Sequence, residues 1–322
     1  MLNTYLYRSG KPLETGISRA QMLAALSDKE ALLWVDIEAP SDFEEDCLVE
    51  IFNFHPLAIE DCINDLSQPK VDDYEDYLFL VVHAVDVRSK EAFASVELDV
   101  FMGRNFVVTF HKEAVRSIAH VREWTAKKPE AWMGQGPDLL VHAILDQLVD
   151  GYSPVLHQLD ERIDFLEDEI LHETRRDFVS NAIQIKKDLF SLRRIIAPQR
   201  DTVNYLTRNP SAIINPKNAI YFRDIYDHLF RIYGEVEGFH EMVTGILQVY
   251  FSQSSHRLNE VMKRMTVMAT LTMPSVIIAS IYGMNFRRIP ELEWVWGYPA
   301  SLGLMALTGI GMLAWMKWRK WI

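Results

Sequence analysis

Near the C-terminal end, Tyr282-Gly283-Met284-Asn285-Phe286 closes a long uncharged run. A glycine there can end a helix by taking a left-handed backbone. Asn285 then offers a neutral amide oxygen just where an apolar helix would meet water. On the run before it, Asn259, Met262, Thr266, Ala269, Met273, Val276 and Ser280 follow each other in steps of three and four, with Met265 beside them. Such steps place side chains on one helical face. Amides, hydroxyls and small residues mixed with thioethers could line a passage for a solvated ion. On periodicity alone, the methionines read as adaptable packing residues.

The elements that would position these residues are membrane spans. No charged residue occurs from Met265 to Phe286, nor from Trp294 to Met316. Each run is long enough to cross a hydrocarbon layer of about 30 Å as a helix, which needs about 20 residues. Lys263 and Arg264 precede the first run, and Lys317, Arg319 and Lys320 follow the second. Basic residues at both outer ends predict that both termini lie in the cytoplasm. Trp294, Trp296, Tyr298, Trp315, Trp318 and Trp321 supply interfacial aromatics. Small residues of the second run, such as Gly303, Ala306, Gly309 and Gly311, suit close helix packing. Two helices cannot enclose a channel, so a conducting protein must assemble from several copies. The competing reading is a hairpin buried in a soluble core.

The rest of the 322-residue chain is large enough for more than one domain. Its 45 acidic and 33 basic residues give a net charge of −12, which argues against nucleic-acid binding and fits dealings with cations. Cys47 and Cys62 lack CxxC or zinc-finger spacing, so neither a disulfide framework nor structural zinc is expected. The ten histidines form no HExxH, and no P-loop is present, which leaves neither a zinc enzyme nor an ATP-driven pump. The first residues lack the pattern of a cleavable signal. Short runs rich in Val, Phe and Leu at 31–40, 77–87, 95–103 and 105–112 read as strands, with a turn at Gly103-Arg104-Asn105. Helices are expected at 18–28 and 41–52, and long helices from about Asp138, with a bend at Gly151 or Pro154. After Asn218 no strong stop occurs before Gly283, so one helix of roughly 100 Å should carry the domain into the first span. The acidic run at 164–173 reads as a solvated helix face.

"IYGMNF" followed by "IPELEWVWGYP" and the basic "KWRKW" resembles the CorA family of divalent-cation channels. "NEVMKRMTVMATLTMPSVIIASIYGMNF", "YFRDIYDHL" and "HPLAIEDCIN" extend the likeness over most of the chain. The resemblance implies a funnel-shaped homopentamer in the plasma membrane, the inner membrane of a bacterium. It implies an α/β cytoplasmic domain at 1–130, antiparallel long helices at 131–216, and a stalk continuing into the pore helix at 217–286. A periplasmic loop at 287–293, a second span at 294–316 and a basic cytoplasmic tail at 317–322 complete it. Gly283, Met284 and Asn285 would be the selectivity filter. Asn259, Met262, Met265, Thr266, Ala269, Met273 and Val276 would line or gate the pore. Mg2+ would be both cargo and regulator, with Co2+ or Ni2+ also passing. The partners would be membrane lipid, divalent metal ions and further copies of the chain. Asp224 matches the family's regulatory stalk position, Asp227 is its neighbour, and Asp86 and Glu91 are candidates for a partner acid. Arg287 and Arg288 would stand near the entrance, offset by Glu291 and Glu293. A zinc transporter of the ZntB branch and a membrane-anchored scaffold stay open as alternatives.

Overall fold

The computed structural model describes residues 1–64, 68–89, 92–171, 177–208, 213–285, 290 and 294–321. The chain falls into two compact units, Met1–Ile246 and Leu247–Ile322.

The first unit is built on a sheet with the strand order β2-β1-β3-β7-β6-β5-β4 among the described residues. The strands are β1 (Leu2–Arg8), β2 (Glu14–Thr15), β3 (Ala31–Glu38), β4 (Lys70–Asp73), β5 (Tyr77–Ser89), β6 (Ala92–Gly103) and β7 (Phe106–His111). β3 and β7 run parallel; the other pairs are antiparallel. Strand side chains alternate between the two faces, yet here both faces are apolar. One carries Leu33, Val35, Ile37, Phe79, Val81, Phe101 and Phe110. They pack on Met22 and Ala25 of α1 (Arg19–Leu26), Cys47 and Leu48 of α2 (Asp42–Glu50), and Ala58, Ile59 and Cys62 of α3 (Pro56–Ile63). The other carries Trp34, Leu80, Val100 and Val107, all fully buried, beside α4 (Arg116–Lys127), α5 (Pro129–Trp132) and α6 (Pro137–Asp150). This is helix–sheet–helix layering, which is why the strands read as continuous apolar runs.

Local chemistry sets several joints. The Gly103-Arg104-Asn105 turn joins β6 to β7. A Cβ on Gly103 would lie 2.1 Å from the Phe106 ring, so only glycine fits without moving it. The Asn105 amide donates to the carbonyls of Ala25, Leu26 and Asp28 at 3.1–3.2 Å, closing the end of α1. His55 caps α3 by accepting from the Leu57 N–H, with Pro56 at the first helical position.

Asp36 of β3 carries a fully buried carboxylate. Thr109 donates to it at 2.8 Å, His111 Nε2 faces it at 3.0 Å, and Arg122 and Asn3 donate at 3.2 and 3.3 Å. A buried charge is tolerable when so completely partnered.

The long helices follow. Gly151 separates α6 from α7 (Tyr152–Leu171), as expected for a bend there; α8 covers Phe178–Arg208. Arg162 of α7 holds Asp188 of α8 at 2.7 Å. The helix α9 is unbroken from Ala219 to Tyr282, 64 residues, through Pro274. Its root is tied to the first unit by Asp138, which accepts from the Asn215 N–H and the Asn218 amide, each at 3.0 Å. Arg193 and Lys186 of α8 hold Glu237 and Thr244 of α9 at 2.9 and 3.2 Å. The second unit contains the end of α9 and α10 (Gly297–Trp318), the two described helices long and apolar enough to span a membrane.

Candidate functional site: the exposed face of the first span

The last turns of α9 carry the candidate site. At 100° per residue, Asn259, Met262, Thr266, Ala269, Met273, Val276 and Ser280 fall within an arc of about 100°. Every one of these positions is exposed. The partly buried positions, among them Val267, Thr270, Leu271, Pro274, Ser275 and Ile278, lie outside that arc. Met262, Met265 and Met273 are 61, 65 and 65 % exposed. A contiguous apolar face of this size has to be covered by lipid or by other chains. A buried hairpin is therefore not what the chain forms: none of the apolar window of α9, and 6 % of that of α10, is buried.

The hydroxyls on α9 have partners in their own helix. Thr266 Oγ1 donates to the Met262 carbonyl at 2.8 Å, Thr270 to Thr266 at 2.7 Å, and Ser280 to Val276 at 2.7 Å. Back-bonded hydroxyls are cheap in lipid. So the face is amphipathic by virtue of its amide and small residues more than its hydroxyls.

The helix ends at Tyr282. The Gly283 N–H still bonds the Ala279 carbonyl at 2.9 Å, and Met284 N–H bonds Ile281 at 3.3 Å. Gly283 does not take the left-handed backbone expected of it. A Cβ at Gly283 would meet only the carbonyl oxygens of Ala279 and Ser280 in its own last turn, at 3.2 and 3.7 Å. Met284 and Asn285 follow, both exposed. Phe286, Arg287, Arg288, Glu291, Glu293 and Glu91 lie outside the described residues.

Of the expected regulatory acids, Asp224 and Asp227 lie three residues apart on α9, and Asp86 lies on β5. Asp224, on the first-unit part of α9, faces His142 and Asp146 of α6. Burial pushes the Asp146 carboxyl up, and the charges of Asp150 and Asp224 add to it; His142 and His228 act against them. Burial also holds the His142 imidazole below its ordinary value, against the pull of Asp146 and Asp224. This cluster escaped the reading of the sequence, although His142, Asp146 and Asp150 recur at four-residue steps, one face of a helix. Asp227 is exposed. Asp86 pairs with Arg116 at 3.0 Å instead of joining these acids. A second acidic recess holds Asp61, Asp72 and Asp73, with Lys70 bonded to Asp61 and Asp72 at 2.6 and 2.7 Å. Among the described residues no three acidic, His or Cys side chains already form a metal-holding group within the chain.

The described residues thus combine an α/β domain, a long helix and two C-terminal helices long and apolar enough to cross a membrane. The chain belongs to the CorA-like Mg2+ transporter family, whose model matches residues 29–318. YfjQ of Bacillus subtilis, a metal ion transporter by name, is 38 % identical over 291 residues, 90 % of each chain. The cobalt/magnesium transport protein CorA of Thermotoga maritima is 36 % identical over 274 residues, 85 % of this chain and 78 % of that one. The complete CorA magnesium transporter structure from Methanocaldococcus jannaschii superposes with a TM-score of 0.85 at 20 % identity, covering 100 % and 99 % of the chains. The ZntB cytoplasmic domain of Vibrio parahaemolyticus superposes with 0.62 at 13 % identity, over 79 % of this chain and 98 % of that one. At these identities the structural likenesses establish the fold. The protein is thus a divalent-cation transporter of the CorA family.

Proposed function

We propose that the chain assembles as a homopentamer in the plasma membrane, both termini cytoplasmic, and conducts Mg2+ inward, with Co2+ and Ni2+ also admitted. The observation that carries this reading is the open Asn259–Ser280 stripe leading directly to Gly283-Met284-Asn285. Several copies of α9 around an axis would turn that stripe into the wall of a pore.

Mg2+ sheds water reluctantly and keeps an octahedral shell. A ring of carboxylates would bind it tightly and release it slowly. A ring of Asn285 amide oxygens accepts hydrogen bonds from the water shell and admits the ion without stripping it. Below, rings of Met262, Met265 and Met273 make an apolar throat that closes by dewetting. Thr266, Ala269 and Val276 line the wall between them, and Asn259 receives the hydrated ion at the inner end. Flux is passive, driven by a membrane potential worth about 2.3 kcal/mol per elementary charge per 100 mV.

Closure is set by cytoplasmic Mg2+ at Asp224, with Asp227 beside it and Asp86 as an acid that would have to leave Arg116 to join. Repulsion between acids on neighbouring copies loosens the assembly when the ion is absent. Differential binding to the closed state restores it.

The test is Asn285→Ala in reconstituted vesicles. Divalent uptake and its block by hexammine-cobalt, a mimic of the hydrated ion that keeps its ammines, should both fall. Unchanged uptake and unchanged block would remove Asn285 from the entry site.

A further inference from the structure

The first unit holds a cavity of about 250 Å³ between α3 and the sheet, lined among others by Cys62, His83, Glu97 and Asp99. Its walls come from four elements, α3, β5, β6 and β7, and from Lys112 and Glu113 just after β7. Cys62 is on α3; Glu97 and Asp99 stand two residues apart on β6, hence on one face. His83 of β5 is paired in register with Glu97, its Nε2 3.9 Å from the Glu97 carboxylate. Exposed Ser95, also on the rim and 3.0 Å from His83 Nδ1, marks where the cavity meets the surface.

Asp99 is the anomaly. It is 2 % exposed, and its Oδ1 is buried with no hydrogen-bond partner among the described residues. A buried carboxyl oxygen left this way costs about 1–3 kcal/mol, so an unpaired one in a folded chain requires a reason. Contrast Asp36, equally buried and fully partnered. Cys62, itself 1 % exposed, sits in hydrogen-bonding contact with the Asp99 carboxyl.

A thiol, a carboxyl and an imidazole around one recess are the donor set of a borderline divalent metal. Zinc and cobalt accept sulfur, nitrogen and oxygen ligands. Mg2+, a hard ion, takes oxygen alone and leaves a thiol unused. We infer that this cavity is a binding site for a zinc- or cobalt-class divalent cation, anchored by Cys62 Sγ and Asp99 Oδ1 and completed by His83 or Glu97. Because no three donors already converge, binding draws side chains inward by rotation. The site is separate from the pore, so it stands or falls independently of which ion is conducted.

The experiment titrates the purified full-length protein in detergent with Co2+ and reads the thiolate-to-cobalt charge-transfer absorption. Oxygen-only sites elsewhere in the chain give no such band. The expected result is a band saturating at one Co2+ per chain and insensitive to excess Mg2+. Cys62→Ser should abolish it, and the isosteric Asp99→Asn should weaken binding about tenfold or more. Cys47→Ser, at the other buried thiol, should leave it unchanged. No band in the wild type overturns the inference, as does a band that survives Cys62→Ser or vanishes in Cys47→Ser. Should Cys62→Ser fail to fold, the Asp99→Asn titration and X-ray absorption on the wild type decide: absence of a sulfur scatterer around cobalt refutes the site.

Discussion

Asp138 fastens the root of the long helix, and removing it should be measurable in degrees. Its side chain, 3 % exposed, accepts from the Leu139 N–H, the Asn215 N–H and the Asn218 amide, all at 3.0 Å. Hydrogen bonds to a charged acceptor contribute about 1.5–3 kcal/mol each. Leu139 is in the first turn of α6 and Asn215 is exposed, so water recovers part of both. Asp138→Ala should therefore destabilise by about 2–3 kcal/mol, from the low end of two such bonds. For a unit of this size that lowers the melting temperature by roughly 4–12 °C. Asp138→Asn, which keeps an oxygen for Asn215 and Asn218, should lose less than half as much. The assay is thermal unfolding of the full-length protein in detergent, together with hydrogen exchange. Amides of residues 213–222 should exchange faster in Asp138→Ala while those of β5 and β6 keep their protection. A melting temperature unchanged in Asp138→Ala, or an Asp138→Asn loss equal to that of Asp138→Ala, would mean that Asp138 does not hold the root of α9.

Phe101 is fully buried, stacked on Phe54 at 3.9 Å and 6°, with Phe79 at 4.6 Å. Phe101→Ala should cost about 3–5 kcal/mol in chemical denaturation, and a loss below about 1 kcal/mol would mean the layer repacks freely. Asp99 carries a raised carboxyl pKa, chiefly from burial and then from Glu97. Its stabilisation is complete below the unfolded value of about 3.9 and is lost as pH rises toward the folded value. Asp99→Asn in metal-free buffer should thus gain stability relative to wild type as pH is raised from about 5 to 8; a difference that does not vary with pH would contradict that sign. Cytoplasmic-side Mg2+ should raise the melting temperature of the wild type and inhibit its current, and Asp224→Ala should lose both effects. Normal inhibition in Asp224→Ala would end its role as sensor.

What the sequence disclosed was local. Uncharged length gave both spans, the absence of breakers between Asn218 and Gly283 gave α9, and Gly103-Arg104-Asn105 gave a turn whose glycine the Phe106 ring demands. The family resemblance on Gly283-Met284-Asn285 and the upstream motifs agrees with the matching family model. What escaped were contacts between distant residues. β1 escaped because its partner β3 lies some 30 residues away. The Asp36 network joins residues 33 to 86 positions apart, and nothing in local pattern announces it. The pairing of Asp86 with Arg116 is likewise tertiary. His142, Asp146 and Asp150 were legible as a helical stripe, but their partner Asp224 on α9 is what gives them meaning. The backbone at Gly283 departed from expectation because the chain stays helical through its N–H.

Flux shows whether the chain conducts Mg2+. Purified wild-type protein is reconstituted into sealed vesicles, a potential negative inside is imposed, and entry of Mg2+, Co2+, Ni2+ and Zn2+ is followed separately with fluorescent indicators. Mg2+ influx should grow with the imposed potential and be blocked by hexammine-cobalt from outside. Vesicles that admit no Mg2+ at any potential, or that pass Zn2+ alone, would contradict Mg2+ conduction by the chain.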